Sequence, residues 1–407
     1  MDAQLRKDAQ YIVTKAIGAV MPDDAVHKAL ENKTFPGRVI LVAAGKAAWQ
    51  MANAAYSCLD GISDGIVITK YHHSKGPIGN LKIREAGHPV PDENSFSATR
   101  QALDMVADLL PEDTVLFLLS GGGSALFELP LVEGQILQNI TNQLLSCGAD
   151  IAEINTIRKR LSAVKGGRFA KHCEPAKVYS IVLSDVIGDR LDVIASGPAY
   201  PDSSTAREAM QIVSKYDLHL PADALRLLQQ ETPKTLTNVT TTVNGSVRLL
   251  CAAAADACRD LGYEPILLTD QLTCQAKDAG AMLARELRKY HRRVALIAGG
   301  ETVVKLTGKG KGGRNQELAL SAALKIDDMV GAAVFSVGSD GTDGPTDAAG
   351  GYVDYTTAKA LKQKGICPEA ALENNDSYHA LKAVNGLVIT GPTGTNVNDV
   401  AVALLRK

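Results

Sequence analysis

Short runs of β-branched and apolar residues alternate with helix-forming segments along most of the 407-residue chain. Parallel α/β architecture requires this order, because each crossover between parallel strands needs a connection long enough for a helix. The runs are continuously apolar, so we expect helices to cover both faces of the sheets. The predicted strands are Arg38–Ala44, Gly65–Thr69, Thr114–Leu119, Val178–Leu183, Thr240–Val243, Pro265–Leu268, Arg293–Ala298, Thr302–Thr307, Ala333–Val337 and Leu387–Thr390.

The chain length predicts two α/β lobes with mostly parallel sheets. At 407 residues the chain is too long for one average domain. The polar segment Gln229–Asn238 carries Pro233 and is the expected boundary. We therefore predict an N-terminal Rossmann-like domain at 1–235 and a C-terminal α/β domain at 236–407. Ligands bind outside the carboxyl ends of such strands, so an active-site cleft is expected between the lobes.

Composition argues against several classes of protein. The net charge is −2 and no basic stripe is interleaved with aromatic residues, so we expect no nucleic-acid partner. The seven scattered cysteines form no Cys-x-x-Cys pair, which favours a reducing cytoplasm over a disulfide framework. No apolar run approaches the roughly 18 residues that a membrane helix needs. A soluble cytoplasmic protein, monomeric or homodimeric, is the expectation.

The turn after the predicted strand Thr114–Leu119, here named the serine–glycine loop, consists of Ser120, Gly121, Gly122, Gly123 and Ser124. Three successive glycines allow the backbone to approach a ligand closely, and the serine hydroxyls can donate to an anion. Lys46 follows another strand at the start of a helix, where a cation opposes the helix dipole unless an anion compensates. The loop is therefore predicted to bind a ligand, with a tight strand-to-helix turn as the alternative, and Lys46 is predicted separately as a functional cation.

Carboxylates occupy two further turns. Asp185 and Asp189 lie just past the predicted strand that ends at Leu183, and Asp340 and Asp343 lie in a later turn. Such positions suit ligands of Mg²⁺ or a group that accepts a hydroxyl proton. Capping of the turns by aspartate is the alternative.

A loop rich in glycine and lysine, Gly308–Gly313, is here named the basic loop. Lys309 and Lys311 lie within it, and Arg314 follows at the start of a predicted helix. Backbone N–H groups in such a turn, together with three cations, indicate several phosphate charges and hence a nucleotide. Lysines in a solvated loop are the alternative. The loop also matches a dinucleotide fingerprint weakly, which leaves a nicotinamide-dependent reductase as the second hypothesis.

The segment from Asn155 to Arg168 is basic. If it is helical, Arg158 and Lys165 lie on one face and can grip an acidic substrate, whereas a solvated helix face is the alternative. His88, near a predicted loop, is a further possible contact with the substrate.

Taken together, these segments resemble the type II glycerate kinase family, the glycerate 2-kinases whose C-terminal part is called the MOFRL domain. The resemblance runs in one order from about residue 40 to the C-terminus. The matching blocks are Ala44–Ala47, Leu119–Ala125, Asn155–Gly167, Leu183–Asp189, Ala195–Pro198, Gly299–Thr302, Gly312–Glu317, Gly341–Gly350 and Gly391–Asp399.

The resemblance implies an ATP-dependent kinase that converts D-glycerate to 2-phosphoglycerate with Mg²⁺. The predicted catalytic residues are Lys46, Asp189 and Arg314. The predicted substrate ligands are the serine–glycine loop, Asn155, Arg158 and Lys165. The predicted ATP site contains Glu301, Thr302, Lys309, Lys311, Gly312, Gly313, Asn315, Gly341 and Thr342. The predicted Mg²⁺ ligands are Asp185, Asp340 and Asp343. The alternatives are exchange of the two anion sites and NAD(P)H-dependent reduction of hydroxypyruvate.

Overall fold

A computed structural model of the chain describes residues 1–188 and 190–406 and divides them into two compact units. The N-terminal unit begins at Pro22 and ends at Asn244. The C-terminal unit runs from Gly245 onwards and also contains Met1–Met21 and Asp185–Gly188. The chain therefore divides after Asn244 instead of after residue 235. Its first helix belongs to the C-terminal unit, in contrast to the N-terminal domain predicted for it.

The strands of the described residues are β1 (Val39–Ala44), β2 (Ile62–Lys70), β3 (Lys82–Ala86), β4 (Thr114–Leu119), β5 (Lys177–Leu183), β6 (Val239–Gly245), β7 (Glu264–Leu272), β8 (Val294–Gly300), β9 (Ala332–Gly338), β10 (Gly350–Asp354), β11 (Leu387–Val388) and β12 (Asp399–Leu405). The helices are α1 (Ala3–Gly18), α2 (Pro22–Leu30), α3 (Ala48–Cys58), α4 (Glu93–Met105), α5 (Gly123–Leu126), α6 (Gly134–Ser146), α7 (Ile151–Arg160), α8 (Arg168–His172), α9 (Ala206–Lys215), α10 (Ala222–Leu228), α11 (Val247–Asp260), α12 (Ala276–Leu287), α13 (Arg314–Ala323), α14 (Thr357–Gln363), α15 (Pro368–Glu373) and α16 (Ser377–Ala383).

The sheet of the N-terminal unit has the strand order β3-β2-β1-β4-β5-β6. The pairs β2–β3, β1–β2, β1–β4 and β4–β5 are parallel, as predicted. Every residue of β1 and β4 is buried, which agrees with their continuous apolar sequences. The strand order reverses between β1 and β4, and in an open α/β sheet this switch point is where ligands bind.

The sheet of the C-terminal unit has the order β11-β10-β9-β12-β8-β7 and corrects part of the fold prediction. The α/β class is confirmed, and β7 pairs with β8 in parallel. The pairs β10–β11, β9–β10, β9–β12 and β8–β12 are antiparallel. Strands β8, β9, β10 and β12 are buried throughout, so their sequences lack the polar alternation that indicates antiparallel pairing.

The predicted strand Thr302–Thr307 is wrong. Val303 forms an isolated bridge to Gln275, and Leu306 is 80% exposed. The segment has the composition of a strand but no neighbouring strand beyond that bridge among the described residues, so it stays a loop. Strands β3, β10 and β12 were absent from the sequence prediction.

Helix α1 packs into the core of the C-terminal unit. Its side chains Leu5 and Ile12 are fully buried in a cluster that includes Phe335 of β9 and Val402 of β12. Asp2 caps the helix by accepting from the N–H groups of Gln4 and Leu5. No helix of the described residues has the length and apolarity to cross a membrane.

Candidate functional site

The loops that follow β1 and β4 meet at the switch point of the N-terminal sheet. The N–H of Lys46 donates to Gly121 O at 2.9 Å, and the N–H of Ala47 donates to Ser120 Oγ at 3.1 Å. Gly45 allows this approach, because its φ is +130° and a Cβ there would lie 2.2 Å from Ser120 Oγ. The structure thus brings together Lys46, predicted as a catalytic residue, and the serine–glycine loop, predicted as a ligand of the substrate.

His88 lies at the same loop. A Cβ on Gly122 would lie 3.0 Å from His88 Cδ2 and 3.2 Å from Lys46 Cγ, so both side chains flank this glycine. Burial lowers the pKa of His88 to about 4, and the charge of Lys46 adds to the effect. The imidazole is therefore neutral near pH 7 and can both donate and accept a hydrogen bond.

Arg158 and Lys165 bind backbone carbonyl groups at and just after the end of the serine–glycine loop. Arg158 Nη2 donates to Ser124 O at 3.0 Å, and Lys165 Nζ donates to Phe127 O at 3.1 Å. Both cations contact Glu128, Lys165 at 2.9 Å and Arg158 at 3.6 Å. Helix α7 ends before Lys165, so the shared helix face predicted for the two cations is wrong.

Lys165 is fully buried, with 0% of its side chain exposed. Burial lowers its pKa to about 8, and the charge of Glu128 acts against this shift. A fully buried ammonium that already contacts a carboxylate is not available to a ligand in this structure. The structure therefore gives Lys165 a supporting position in place of the predicted direct contact with substrate.

Asn155 is buried and its side chain is used within the protein. Its Oδ1 accepts from Ser196 Oγ at 3.0 Å. Ala195 and Ser196 have φ values of +50° and +61°, a conformation that costs free energy for residues other than glycine. The N–H of Gly166 donates to Ser196 O at 3.0 Å and helps to hold this turn. Strain of this kind is concentrated at functional sites, and the sequence prediction included the block without naming its residues.

The carboxylates predicted after β5 are described in part. Asp185 is half-buried and lies two residues beyond the end of that strand. Asp189 lies outside the described residues. Acceptance of the hydroxyl proton by one of them therefore stays a prediction.

In the C-terminal unit, carboxylates hold Arg314 at the start of α13 in one orientation. Its Nε and Nη2 donate to the two oxygens of Asp399 at 2.5 and 2.9 Å, and its Nη1 donates to Glu301 Oε1 at 2.8 Å. Asn398 Nδ2 in turn donates to Glu301 Oε2 at 3.3 Å. The Arg314 side chain is 33% exposed, so part of a fixed guanidinium faces solvent.

The ionisation of this pair follows from its burial. Burial raises the pKa of Asp399 to about 6, while the hydrogen bonds and charge of Arg314 oppose the rise and the neighbouring Asp343 adds to it. Burial alone would lower the pKa of Arg314, but the bonds and charge of Asp399 outweigh this and raise it. The pair is thus ionised at neutral pH, and the carboxyl group becomes protonated in mild acid.

The basic loop differs from the phosphate cradle that its sequence predicts. The N–H groups of Gly308 and Lys309 donate to side-chain oxygens of Asn375 and Asn374, at 2.9 and 3.2 Å. The N–H of Gly310 donates to the carbonyl of Asn374, and that of Lys311 donates to Asp376, at 2.8 and 3.0 Å. These four N–H groups donate to acceptors within the protein. A phosphate at this part of the loop would therefore contact the lysine side chains and not these backbone amides.

The glycines of the basic loop have a packing role. A Cβ on Gly308 would lie 2.4 Å from Asn374 backbone atoms, and one on Gly312 would lie 2.2 Å from Ser377 Oγ. A Cβ on Gly313 would lie 2.3 Å from Asp343 Cγ. The glycines therefore allow close contact with the chain between α15 and α16 and with the turn after β9.

Asp343 caps α13 and is not placed as a metal ligand. Its carboxylate accepts from the N–H groups of Asn315 and Gln316 at 3.1 and 2.9 Å, and from both of their side-chain amides. Asp340 Oδ1 accepts from the N–H of Thr342 at 2.9 Å. No cluster of three or more His, Cys, Asp or Glu side chains able to hold a metal occurs among residues 1–188 and 190–406. The turn-capping alternative fits both aspartates.

The other residues predicted for the nucleotide site differ in exposure. Asn315 and Thr302 are buried, and Asn315 Oδ1 accepts from Ser336 Oγ at 2.5 Å. Thr342 is exposed. A Cβ on Gly341 would lie 2.0 Å from Gly391 O, so this glycine allows two turns to touch.

The sequence prediction omitted the carboxylates that hold the cations, chiefly Glu128 and Asp399. Asp399 is the last residue of the block Gly391–Asp399, and its place in this block was the one sign in the sequence that it belongs to the site. Its partner Arg314 lies 85 residues away. An ion pair between such distant residues has no signature in local spacing.

Two protein families match the chain. Residues 8–229 match the family described as Domain of unknown function (DUF4147), and residues 294–399 match the MOFRL family. Between them these matches include both units and the cations described above.

Known proteins are similar along the whole length. D-glycerate 2-kinase of Thermotoga maritima is 53% identical, and the match covers 98% of each chain. Glycerate 2-kinase of Pyrococcus horikoshii is 41% identical, covering 98% of this chain and 97% of that protein. A crystal structure of glycerate kinase from Thermotoga maritima has a TM-score of 0.96 with this chain, at 53% identity and with 99% and 100% coverage.

Proposed function

The chain belongs to the type II glycerate kinase family, and from this membership we propose that it transfers the γ-phosphoryl group of ATP to the 2-hydroxyl group of D-glycerate. The family predicted from the sequence is thereby confirmed. In the proposed reaction the 2-oxygen of glycerate forms a bond to the γ-phosphorus. The bond from that phosphorus to the β,γ-bridging oxygen breaks, ADP leaves with the electron pair, and the hydroxyl proton passes to the carboxylate predicted after β5, Asp185 or Asp189.

The observation that carries the proposal is the fixed, partly exposed guanidinium of Arg314. Phosphoryl transfer is catalysed mainly by positioning and by stabilising charge on the transferring group. Two carboxylates fix Arg314, so no reorientation is needed when that charge develops. Lys46, at the switch point of the other unit, is the second proposed partner for phosphate charge.

Glycerate is proposed to bind through its carboxylate at the serine–glycine loop. The sequence left open whether the loop amides or the cations Arg158 and Lys165 hold this group. Both cations donate to carbonyl oxygens of the segment that ends this loop, which supports the amide alternative. In this proposal Arg158 and Lys165 are positioning residues, and neutral His88 supplies a hydrogen bond to the substrate.

The ATP phosphates are proposed to meet the side chains of Lys309, Lys311 and Arg314. Lys309 is exposed, and Lys311 Nζ lies 4.8 Å from the centre of the Tyr378 ring. The four internally bonded amides of the basic loop argue against the reductase alternative, because a dinucleotide site needs free backbone N–H groups for its diphosphate.

Of the three predicted Mg²⁺ ligands, Asp185, half-buried after β5, stays a prediction. Asp343 is committed to capping α13, and Asp340 to its own turn, so the described residues do not fit the metal site predicted at these positions. We propose that Mg²⁺ is coordinated mainly by the phosphates of ATP, as is usual in kinases. Cytoplasmic location, a monomeric or dimeric state and the lack of a nucleic-acid partner stay predictions.

The proposal is tested by incubating the protein with ATP, Mg²⁺ and D-glycerate and identifying the product by ³¹P NMR. We expect the signal of 2-phosphoglycerate. The signal of 3-phosphoglycerate would retain the kinase and overturn the acceptor hydroxyl. Oxidation of NADH with hydroxypyruvate, without a phosphorylated product, would replace the kinase by the reductase.

A further inference from the structure

The N-terminal unit contains a cavity of about 580 Å³ that the proposed reaction does not use. Its walls come from Pro89–Pro91, the start of α4, helix α6 and helix α7. Apolar side chains form half of the lining, among them Phe96, Leu137 and Ile154, and neutral polar side chains of α6 line it as well, namely Gln135, Gln138, Thr141 and Asn142. A cavity of this volume that combines apolar walls with polar groups is typical of sites for small organic molecules.

Large apolar side chains that face solvent gather at this cavity. Val90, Leu145 and Ile151 all line it, and they are 54%, 60% and 63% exposed. Single exposed apolar residues are ordinary, whereas several around one concave surface indicate a contact with an apolar group. Glycerate carries an oxygen on every carbon and gains nothing from such walls.

One cation lines the same cavity. Arg158 lies in the last turn of α7, and its Nε–H has no hydrogen-bond acceptor within the part of the chain that the structure describes. Glu128 contacts both Arg158 and Lys165, so one carboxylate faces two cations. This buried group therefore carries an excess positive charge, which an anion can compensate.

Acidic side chains also line the cavity and limit where the anion can bind. Asp92 accepts from the N–H of Ser95 and from Tyr71 OH, at 3.0 and 2.6 Å. Glu93 is exposed at the start of α4. Both repel an anion near α4, so the charged end of a ligand is favoured at the Arg158 end.

We propose that this cavity binds a monocarboxylate that carries an apolar chain or ring. Its carboxylate pairs with Arg158, and its apolar part lies against Leu137, Leu145 and Ile151. Arg158 also donates to Ser124 O, so the ligand shares one residue with the serine–glycine loop. The site is distinct in chemistry from the proposed glycerate site, and it requires no kinase activity.

Calorimetric titration of the full chain with octanoate tests the site. We expect saturable one-to-one binding, weaker binding of butyrate, and no binding of octylamine, whose cation would meet Arg158. The double variant Leu145→Asn, Ile151→Asn removes apolar wall at two exposed positions and should weaken octanoate binding about tenfold or more. Leu110→Asn, another exposed leucine of this unit at 52%, is the matched control and should bind as the parent does.

Several outcomes would overturn the proposal. These are absence of octanoate binding, equal binding of octylamine, or an unchanged affinity in the double variant. Displacement of octanoate by D-glycerate in simple competition would place octanoate in the substrate site. A lower molecular mass of the double variant in light scattering would show that a second copy of the chain covers the cavity. Calorimetry reports binding directly, so failure of the kinase assay would leave this test intact.

Discussion

The two cations proposed to act on phosphate are held in different ways. Arg314 is bonded by two carboxylates, whereas Lys46 is half-buried next to a neutral histidine. The sequence predicted Arg314 because it follows the glycine-rich basic loop at the start of a helix. It predicted Lys46 because a cation at the start of a helix opposes the helix dipole unless an anion compensates. It could not supply Glu128 or Asp399, because ion-pair partners distant in the chain depend on the tertiary fold.

Replacement of Lys46 tests its role and its coupling to His88. Lys46→Ala should lower turnover by about 10²-fold, the usual cost of losing a partner for charge in the transition state. The pKa of His88 should rise above its value of about 4, but only in part, because burial is the larger cause of the shift. Steady-state assays and an NMR titration of His88 measure the two effects.

Lys75→Ala is the control for that substitution, since Lys75 packs over Trp49 in the same unit. It should leave both readouts unchanged. Near-normal turnover of folded Lys46→Ala would remove the lysine from the mechanism. An unmoved His88 titration would contradict the contact between the two side chains.

Asp399 predicts a pH dependence for the orientation of Arg314. Its carboxyl group becomes protonated as the pH falls through about 6, which weakens the bidentate pair. Turnover should therefore fall on the acid side of pH 6. A carboxyl group whose pKa is raised on folding contributes stability at low pH, and this contribution is lost as the pH rises through the folded pKa. As the pH falls through about 6, the contribution of Asp399 to the free energy of unfolding should therefore increase while turnover decreases.

The pH profile of kcat, recorded beside thermal unfolding at each pH, measures both effects. Asp399→Asn should have low turnover throughout and lack this acid limb. A limb of unchanged shape in Asp399→Asn would assign the titration to another group.

Among the elements, α13 shows where local pattern and tertiary packing disagree. Its preceding glycines suggested free amides for phosphate, but they lie against Asn374 and Ser377, far along the chain. Its first N–H groups suggested an anion site, but Asp343 occupies them. The element itself was predictable from its helix-forming sequence, whereas the segment that covers its start was not.

Asp343→Ala separates a helix cap from a metal ligand. The change leaves the buried N–H groups of Asn315 and Gln316 without acceptors, so the free energy of unfolding should fall by about 2 kcal/mol. Denaturant titration measures this loss. The Mg²⁺ concentration for half-maximal turnover should stay as in the parent.

Asp340→Ala is the comparison, because this half-buried side chain accepts one backbone hydrogen bond, from Thr342. Its unfolding free energy should change by about 0.5 kcal/mol or less. A shift in the Mg²⁺ requirement of Asp343→Ala, without loss of stability, would restore the metal role to Asp343.

For the whole molecule, the alternation of apolar runs and helices was sufficient to predict the α/β class and the strands around the switch point. The buried strands of the C-terminal unit hid their direction, since a strand covered on both faces reads alike in parallel and antiparallel sheets. The assignment of α1 to the C-terminal unit could not be predicted from the sequence either. Nothing in the sequence of α1 links it to residues such as Phe335 and Val402, beside which it packs.

Removal of Met1–Met21 tests the assignment of α1. Burial of Leu5, Ile12 and Val13 contributes about 1.5–3 kcal/mol for each side chain, a large part of the stability of one unit. The truncated chain should lose the folded C-terminal unit and keep the N-terminal one. Limited proteolysis with mass spectrometry should show cleavage spreading from Gly245 onwards.

Leu5→Ala gives a graded control, with a loss of about 2–5 kcal/mol and the same pattern of cleavage at lower temperature than in the parent. Protection of the region after Gly245 in the truncated chain would contradict the proposed contribution of α1.

The central position of β12 has a consequence for biosynthesis. A ribosome produces α1 before the N-terminal unit and β12 after it, yet α1 and β12 belong to one unit, and β12 lies between β8 and β9. The N-terminal unit emerges complete while the C-terminal unit still lacks the middle of its sheet. During that interval the apolar side chains of α1 lack the strands against which they pack in the folded unit. We therefore expect α1 to be the segment of the nascent chain that a chaperone binds.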